Sequence, residues 1–364
     1  MDGGAFSMTL WVVKIGTSLL RGETAATIEG YARCFAAAMA CGDQVVLVTS
    51  GAVGLGCQKL ALSNRPDTVV ALQAAAAIGQ GALMALYERA MARHGRSVAQ
   101  VLLTRSDLAD RRRYQNASGT LRQLLSWGVL PVINENDALS PAELRFGDND
   151  TLSALVAAAV EAQQLILLTD VDRLYSSDPR VDANAEPISD VRHPRDLDQL
   201  EQGAGDGGRW GTGGMTTKLA AARIATASGI TVQLADGRDP ARLEALLQGE
   251  RGGTVFHPHP EPLGNRRSWL AHVLRPEGEL QLDAGACAAL QHRGASLLLV
   301  GVTAVRGDFA ANQPVQLLDP DGEDLGRGLC SMDSDQLRAA MNDPSPRDSS
   351  PVVVHRDGLV LRSR

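Results

Sequence analysis

Short apolar runs alternate with Ala-rich stretches over the first two-thirds of the chain. The runs are rich in Val, Ile and Leu, and each is followed within a few residues by Gly, Asp, Asn or Ser. Such runs are typical of strands that are buried on both faces of a parallel sheet. They are Leu10–Val13, Val45–Thr49, Val98–Leu103, Val129–Ile133, Leu165–Thr169 and Ile230–Leu234.

The stretches between these runs have the length of helices. They are Ala25–Ala40, Val69–Arg93, Arg111–Trp127, Leu152–Glu161 and Thr216–Ser228. The alternation predicts a three-layer α/β/α sandwich with a mainly parallel sheet. Because ligands bind beyond the carboxyl ends of the strands in such folds, we expect the chemistry in the polar segments that follow the strands.

A Pro-rich segment at 257–265 separates this region from a different one. Its three prolines in nine residues cannot continue a helix or a central strand. Short apolar runs separated by Gly/Asp turns follow, and they predict a small β-barrel or sandwich. They are Leu280–Leu282, Leu297–Val300, Val315–Leu318 and Val352–Val354. The predicted organisation is an α/β domain at 9–256, a linker at 257–275 and a β domain at 276–356.

Composition narrows the class of protein. Of the 364 residues, 44% are hydrophobic and 21% are charged, which excludes a disordered chain. The net charge of −7 disfavours a general nucleic-acid binder or a binder of anionic membranes. Eighteen consecutive apolar residues occur nowhere, the start does not resemble a signal peptide, and the five cysteines form no C-x-x-C pair. We therefore expect a cytoplasmic protein with reduced thiols and no membrane segment.

Lysine is rare in this sequence. All but three of the 35 basic side chains are arginines, and the exceptions are Lys14, Lys59 and Lys218. A lysine that stands where arginine is the rule is a candidate for a position that needs a compact point charge, with chance and codon usage as the alternative. For Lys59 we favour codon usage as the explanation.

Lys14 and Lys218 each belong to a loop of small residues. Residues 14–18 read K-I-G-T-S after the first strand, and residues 211–218 read G-T-G-G-M-T-T-K at the start of a helix. Small residues let backbone N–H groups approach an anion, and a helix start adds its dipole. The pair of loops predicts a polyphosphate site, although neither has the Walker A sequence or the dinucleotide-binding glycine order.

Four carboxylates follow predicted strands, where a metal-bound phosphate would lie. They are Asp137, Asp148, Asp150 and Asp170. Mg²⁺ is commonly held by one or two carboxylates together with phosphate oxygens. Asp150 also fits a helix N-cap and Asp137 a turn, and both interpretations stay open.

Five segments together resemble the glutamate 5-kinases, amino-acid kinases with a C-terminal PUA domain. They are V-V-K-I-G-T-S at 12–18, V-T-S-G-A at 48–52, P-V-I-N-E-N-D at 131–137, F-G-D-N-D at 146–150 and the loop at 211–218. The two lysine loops mark the wider superfamily, whereas the N-E-N-D and G-D-N-D pair is specific to this family. The resemblance extends from residue 9 to about residue 356.

This resemblance implies ATP-dependent phosphorylation of the γ-carboxylate of L-glutamate with Mg²⁺, the first step of proline biosynthesis. It also implies inhibition by L-proline near the glutamate site, and a homodimer or homotetramer built through the kinase domain. It leaves the protein ligands of the metal unidentified.

The resemblance further implies three sets of site residues. The catalytic residues would be Lys14, Lys218 and Asp150. The substrate-binding residues would be Ser50, Gly51, Ala52, Asn134, Asp137, Asp148 and Asn149. The ATP-binding residues would be Lys14, Gly16, Thr169, Asp170, Thr212, Gly213, Gly214, Met215, Thr216, Thr217 and Lys218.

Three alternatives compete with this interpretation. Related kinases act on acetylglutamate, aspartate, carbamate or a nucleotide. A PUA domain also occurs on RNA-modification enzymes, but residues 276–364 hold eight arginines, no lysine, thirteen acidic residues and the single aromatic Phe309. Such a segment is poorly suited to binding phosphates and stacking bases, so we favour a structural role for it. A regulatory pseudokinase finds no support, because every expected catalytic position is filled.

Overall fold

The computed structural model describes residues 8–20, 24–104, 107–108, 110–139, 149–177, 179, 182–205, 214–262, 264, 276–342 and 350–361. The chain separates into two compact units, Met1–Pro262 and Leu263–Arg364. The division falls inside the Pro-rich segment. The finer limits of a linker at 257–275 and a β domain at 276–356 stay predictions.

The first unit is built around one sheet. Its strands are β1 (Leu10–Ile15), β2 (Gln44–Thr49), β3 (Val98–Leu103), β4 (Leu130–Glu135), β5 (Gln164–Thr169), β6 (Leu174–Tyr175), β7 (Pro187–Ile188), β8 (Asp190–Val191), β9 (Thr231–Asp236) and β10 (Thr254–Phe256). Among the described residues, eight strands form the sheet in the order β3-β4-β2-β1-β5-β9-β10-β8, while β6 and β7 form a separate hairpin. Every neighbouring pair in the sheet is parallel except β9 and β10. The predicted mainly parallel sheet and its six strands are confirmed.

Helices cover both faces of this sheet. They are α1 (Thr24–Ala40), α2 (Ala52–Lys59), α3 (Val69–Ala92), α4 (Arg111–Ser126), α5 (Asn149–Val160), α6 (Pro194–Gly205), α7 (Gly214–Ala227) and α8 (Pro240–Leu247). Helix α1 packs on α3 and α8, and α5 packs on α4 and α7. These two groups form the outer layers of the predicted three-layer sandwich. The hydrophobic pattern along the chain did not predict α2, α6 or α8.

Burial explains why the central elements form as they do. All six residues of β1 are buried, and β1 packs between β2 and β5 in the middle of the sheet. Helix α5 is buried along almost its whole length, because its Ala and Val side chains are small enough to lie flat on the strands. Its first turn therefore lies at the carboxyl edge of the central strands.

Helices α2 and α3 cross with their backbones in contact. A Cβ added to Gly56 would lie 1.8 Å from the carbonyl oxygen of Ala75, and one added to Gly79 would lie 1.8 Å from that of Ala52. Only glycine leaves room for this approach. By length and composition, α3 is also the one described helix apolar enough to cross a bilayer. It packs against α1, α2 and β3, and 28% of its apolar stretch is buried.

The second unit contains a different sheet. Its strands are β11 (Gly278–Leu282), β12 (Leu297–Leu298), β13 (Val302–Arg306), β14 (Pro314–Leu318), β15 (Asp324–Cys330) and β16 (Val352–Leu361), and its helices are α9 (Ala284–Arg293) and α10 (Ser334–Asn342). Among the described residues, these six strands pair in the order β12-β16-β15-β14-β11-β13, antiparallel except between β11 and β14. The small β domain is confirmed, with two helices that the sequence analysis did not predict.

Candidate active site

Parallel strands bring the predicted site residues to one edge of the sheet. Lys14 lies near the carboxyl end of β1, Ser50 follows β2, Asn134 lies near the end of β4 and Thr169 ends β5. These four strands are neighbours in the sheet. Segments that are distant in sequence therefore meet where the fold places ligands.

A buried carboxylate joins the two lysines. Asp150 is fully buried in the first turn of α5 and forms ion pairs with Lys14 and Lys218, the second with 3.0 Å between Nζ and Oδ2. The hydroxyl of Thr217 donates a third hydrogen bond of 3.1 Å to the same carboxylate. Lys14 is 4% exposed, so both charges of that ion pair are shielded from water. Two ammonium groups face one carboxylate, which leaves one unit of positive charge to attract an anion.

The first turn of α7 reaches the same place. The carbonyl oxygen of Gly214 accepts a hydrogen bond of 3.1 Å from the ammonium group of Lys218. Met215, Thr216 and Thr217 complete the first turn, where the helix dipole favours an anion. Of the predicted residues, Thr212, Gly213 and Asp148 lie outside the described residues.

Three further ATP-binding candidates, Gly16, Thr169 and Asp170, follow β1 or lie at the end of the adjacent β5. A Cβ added to Gly16 would lie 3.5 Å from the ammonium nitrogen of Lys14, so Gly16 lies directly beside that group. Thr169 is buried and donates a hydrogen bond of 3.2 Å to the exposed Asp170. The structure thus brings Lys14, Gly16 and Lys218 together, and places Thr169 and Asp170 at the end of the adjacent β5.

A network of side-chain amides forms the other half of the site. The Nδ2 of Asn149 donates to the Oγ of Ser50 at 2.9 Å, to the Oδ1 of Asn134 at 2.7 Å and to the carbonyl oxygen of Thr49 at 2.5 Å. Asn134 and Asn149 are 2% and 6% exposed. Since Asn149 precedes Asp150 in α5, the first turn of one helix links the amide network to the lysine pair.

A cleft of about 590 Å³ opens beside this network. Its lining includes the predicted Ser50, Gly51, Ala52, Asn134, Asp137 and Asn149. Gly51 adopts a φ of 106° as the N-cap of α2, a left-handed conformation that favours glycine and turns the helix N-terminus towards the cleft. The cleft and the lysine pair thus share α5, the element that carries Asn149 and Asp150.

Several residues of the site were not predicted from the sequence. The exposed Arg65 and the buried Glu135 line the cleft. On α3, Gln80 accepts a hydrogen bond from Asn134, and the hydroxyl of Tyr87 lies 3.0 Å from that of Thr49. Burial raises the pKa of Tyr87 well above its usual range, so its hydroxyl stays protonated at neutral pH. The signal for Gln80 was an amide inside an Ala-rich apolar helix that also contains Gln73.

A metal site made of protein side chains alone is not found in the described part of the chain. No group of three or more His, Cys, Asp or Glu residues there could hold an ion. Asp150 is engaged by both lysines, so the donor set fits Mg²⁺ that is held mainly by phosphate oxygens.

Two family models match the chain. The amino acid kinase family model matches residues 9–236, and the PUA domain model matches residues 278–346. The first match covers the elements that build the site, and the second covers most of the six-stranded sheet.

Curated relatives match over almost the full length. Proteins named glutamate 5-kinase from Synechococcus sp. (strain CC9605) and Synechococcus sp. (strain CC9902) are 96% and 82% identical to this chain, each over 98% of this chain and 100% of the relative. The glutamate 5-kinase of Prochlorococcus marinus (strain MIT 9313) is 72% identical with the same coverage.

A solved structure shares the fold of the first unit. Carbamate kinase from Giardia lamblia, bound to AMP-PNP, matches with a TM-score of 0.51 and 17% identity. The match covers 69% of this chain and 99% of that structure. At this identity the likeness concerns the fold alone.

Proposed function

This chain belongs to the amino acid kinase family, as a phosphotransferase with a PUA domain after its kinase domain, and we propose that it phosphorylates the γ-carboxylate of L-glutamate with ATP. The observation that carries the proposal is the pair of ammonium groups held on one buried carboxylate, beside a polar cleft of about 590 Å³. The names of its relatives, up to 96% identical, support glutamate as the acceptor.

The charge arrangement suits two anionic substrates. A carboxylate acceptor and a triphosphate donor repel each other, by about 4 kcal/mol for two unit charges about 4 Å apart at an effective dielectric near 20. Lys14 and Lys218 offset this repulsion because together they exceed the charge of Asp150 by one unit. Their fixed positions also stabilise the charge that develops on the oxygens of the transferred group.

The cleft supplies groups that suit an amino acid. Ser50, Asn149 and Asp137 offer a hydroxyl, an amide and a carboxylate, which can hydrogen-bond the α-ammonium and α-carboxylate groups. Arg65 and the N-terminus of α2 add positive potential at the cleft for a carboxylate. The dicarboxylate is thereby oriented with its γ-carboxylate towards the lysines.

The chemical step needs no general base. The γ-carboxylate is ionised at pH 7, and its oxygen forms a bond to the γ-phosphorus while the bond to the β–γ bridging oxygen breaks and ADP leaves. Lys14 and Lys218 neutralise charge on the phosphoryl group as it passes between the two oxygens, and Asp150 fixes both ammonium groups. Mg²⁺, when bound with ATP, neutralises part of the phosphate charge. Catalysis therefore rests on alignment and electrostatics.

The product is an acyl phosphate, which fits the first step of proline biosynthesis in the cytoplasm. Feedback inhibition by L-proline follows if proline competes for the groups that hold the α-ammonium and α-carboxylate of glutamate. The proposal extends to a homodimer or homotetramer built through the kinase domain, with no membrane or nucleic-acid partner.

A substrate panel tests this function. ADP release from MgATP is measured with L-glutamate, L-aspartate, N-acetyl-L-glutamate, carbamate and UMP as acceptors, with and without L-proline. We expect turnover with L-glutamate that L-proline lowers by raising the apparent KM for glutamate. Faster turnover of any other acceptor would assign the chain to a different kinase of the family. Turnover of glutamate that is insensitive to proline would contradict the regulatory part alone.

A further inference from the structure

Gln80 is a buried amide on the apolar helix α3. It is 9% exposed, and the buried residues on either side of it in the helix include Ala76, Gly79 and Leu83. Its Oε1 accepts a hydrogen bond of 2.9 Å from the Nδ2 of Asn134. Its own Nε2 is buried and has no hydrogen-bond partner among the described residues. An unpaired buried amide nitrogen is destabilising, so stability alone does not explain a glutamine here.

The hydrogen bond from Asn134 begins a directional chain of amides. Because Gln80 presents an oxygen, Asn134 turns its nitrogen towards Gln80 and its oxygen towards Asn149. That oxygen accepts from the Nδ2 of Asn149 at 2.7 Å and from the backbone N–H of Glu135 at 2.9 Å. A reversed Asn134 would place its NH₂ group against the NH₂ group of Asn149, with no acceptor between them.

This direction determines what Asn149 offers to the cleft. Its Nδ2 donates to Thr49, Ser50 and Asn134. None of the described residues donates a hydrogen bond to its Oδ1, and Asn149 lines the cleft. The amide oxygen is therefore available as an acceptor for a positively charged donor of a bound ligand.

The packing of α3 holds Gln80 at the required position. Gly79 lies against the carbonyl oxygen of Ala52, so α3 is fixed directly behind the turn that carries Ser50. Tyr87, two turns after Gln80 in α3, contacts the hydroxyl of Thr49 at 3.0 Å. Helix α3 thus supports the ends of both β2 and β4.

We propose that Gln80 is a positioning residue that, through Asn134, keeps the amide oxygen of Asn149 directed at the α-ammonium group of the amino-acid acceptor. The inference rests on the proposed function, because it needs an acceptor that carries an ammonium group. Gln80 touches neither ATP nor the transferred phosphoryl group. It contributes to recognition of the acceptor and not to the chemical step.

Gln80→Met is the first test, because methionine has a similar shape and no amide. The variant is compared with wild type by ADP release with L-glutamate and with glutarate, which lacks the amino group. We expect the KM for L-glutamate to rise about 10-fold or more, while the KM for ATP and kcat change less than about threefold. We expect the KM for glutarate to stay unchanged, so the ratio of kcat/KM for glutamate to kcat/KM for glutarate falls.

Gln80→Glu and Gln73→Met are the controls. Glutamate at position 80 keeps an acceptor oxygen for Asn134, so its KM for L-glutamate should stay within about threefold of wild type, even if Gln80→Met fails to accumulate. Gln73 lies two turns earlier on α3 and is half-buried, so its replacement controls for loss of an amide from this helix.

Three outcomes would overturn the inference. The first is an unchanged KM for L-glutamate in a folded Gln80→Met variant. The second is an equal rise in the KM values for glutamate and glutarate in that variant. The third is a rise of about 10-fold in the KM for L-glutamate in Gln80→Glu. If wild type turns over glutamate and one of these results appears, the inference fails alone. If wild type does not turn over glutamate, the proposed function fails, and the inference fails with it.

Discussion

Replacing Lys14 or Lys218 by arginine gives the sharpest prediction about catalysis. Of these two changes, Lys218→Arg is the easier one to interpret. The ammonium group of Lys218 lies 3.0 Å from Asp150 and 3.1 Å from the carbonyl oxygen of Gly214, and its side chain is 12% exposed. Arginine keeps the charge, and the side chain at position 218 is less enclosed than that of Lys14, which is 5% exposed. Its planar guanidinium favours bidentate pairing with Asp150 and spreads the charge over a larger group.

The expected magnitude follows from distance. An ammonium group about 4 Å from a phosphoryl oxygen contributes about 4 kcal/mol at an effective dielectric near 20, and a charge drawn back to about 8 Å contributes about 2 kcal/mol. The loss of about 2 kcal/mol alone lowers the rate about 30-fold. Loss of one preorganised donor typically costs about 10² to 10³ in kcat. We therefore expect kcat to fall at least about 10²-fold, with the same lower limit for Lys14→Arg.

The assay is steady-state ADP release with saturating MgATP and L-glutamate, together with a thermal melt of each variant. Lys59→Arg is the matched control, because Lys59 is the third lysine of the chain, is exposed and does not line the cleft. We expect Lys59→Arg to keep wild-type kcat. Near-normal turnover in folded Lys14→Arg and Lys218→Arg variants would refute the need for compact ammonium groups at these positions.

Two further predictions concern packing and thiol reactivity. Gly79→Ala should lower the free energy of unfolding by about 1–3 kcal/mol or more in urea titrations. The Cβ of the new alanine would lie 1.8 Å from the carbonyl oxygen of Ala52. Gly81→Ala in the same helix has open space and should stabilise by up to about 1 kcal/mol, so equal effects would contradict the close crossing. At pH 8, a thiol reagent should label the exposed Cys41 rapidly but Cys34 only after unfolding, since burial above all raises the pKa of Cys34 to about 11. Fast labelling of Cys34 in a folded Cys41→Ser variant would contradict the burial of the Cys34 thiol.

The sequence was informative where a pattern is local. Strands such as β1 and β5 are continuous apolar runs, because both of their faces are covered by helices. The lysine loops were recognisable because the small residues beside Lys14 and Lys218 let the backbone approach an anion closely, and such residues can be read from the sequence alone. Both the apolar runs and the lysine loops can therefore be recognised without knowledge of tertiary contacts.

Features that depend on tertiary contacts were missed. Helix α2 contains Gly54 and Gly56, which disfavour a helix by propensity, yet Gly56 is what allows α3 to approach. The role of Gln80 depends on a hydrogen bond across 54 positions to Asn134. Arg65 lies in a loop, and only the fold shows that it lines the cleft.

Trapping of the product tests the central claim most directly. The chain is incubated with MgATP, L-glutamate and hydroxylamine, and the hydroxamate is identified by mass spectrometry with its position on the side chain. We expect the γ-hydroxamate of glutamate, formed in proportion to ADP and absent without ATP. ADP formation without hydroxamate, or a hydroxamate at the α-carboxylate, would contradict transfer to the γ-carboxylate.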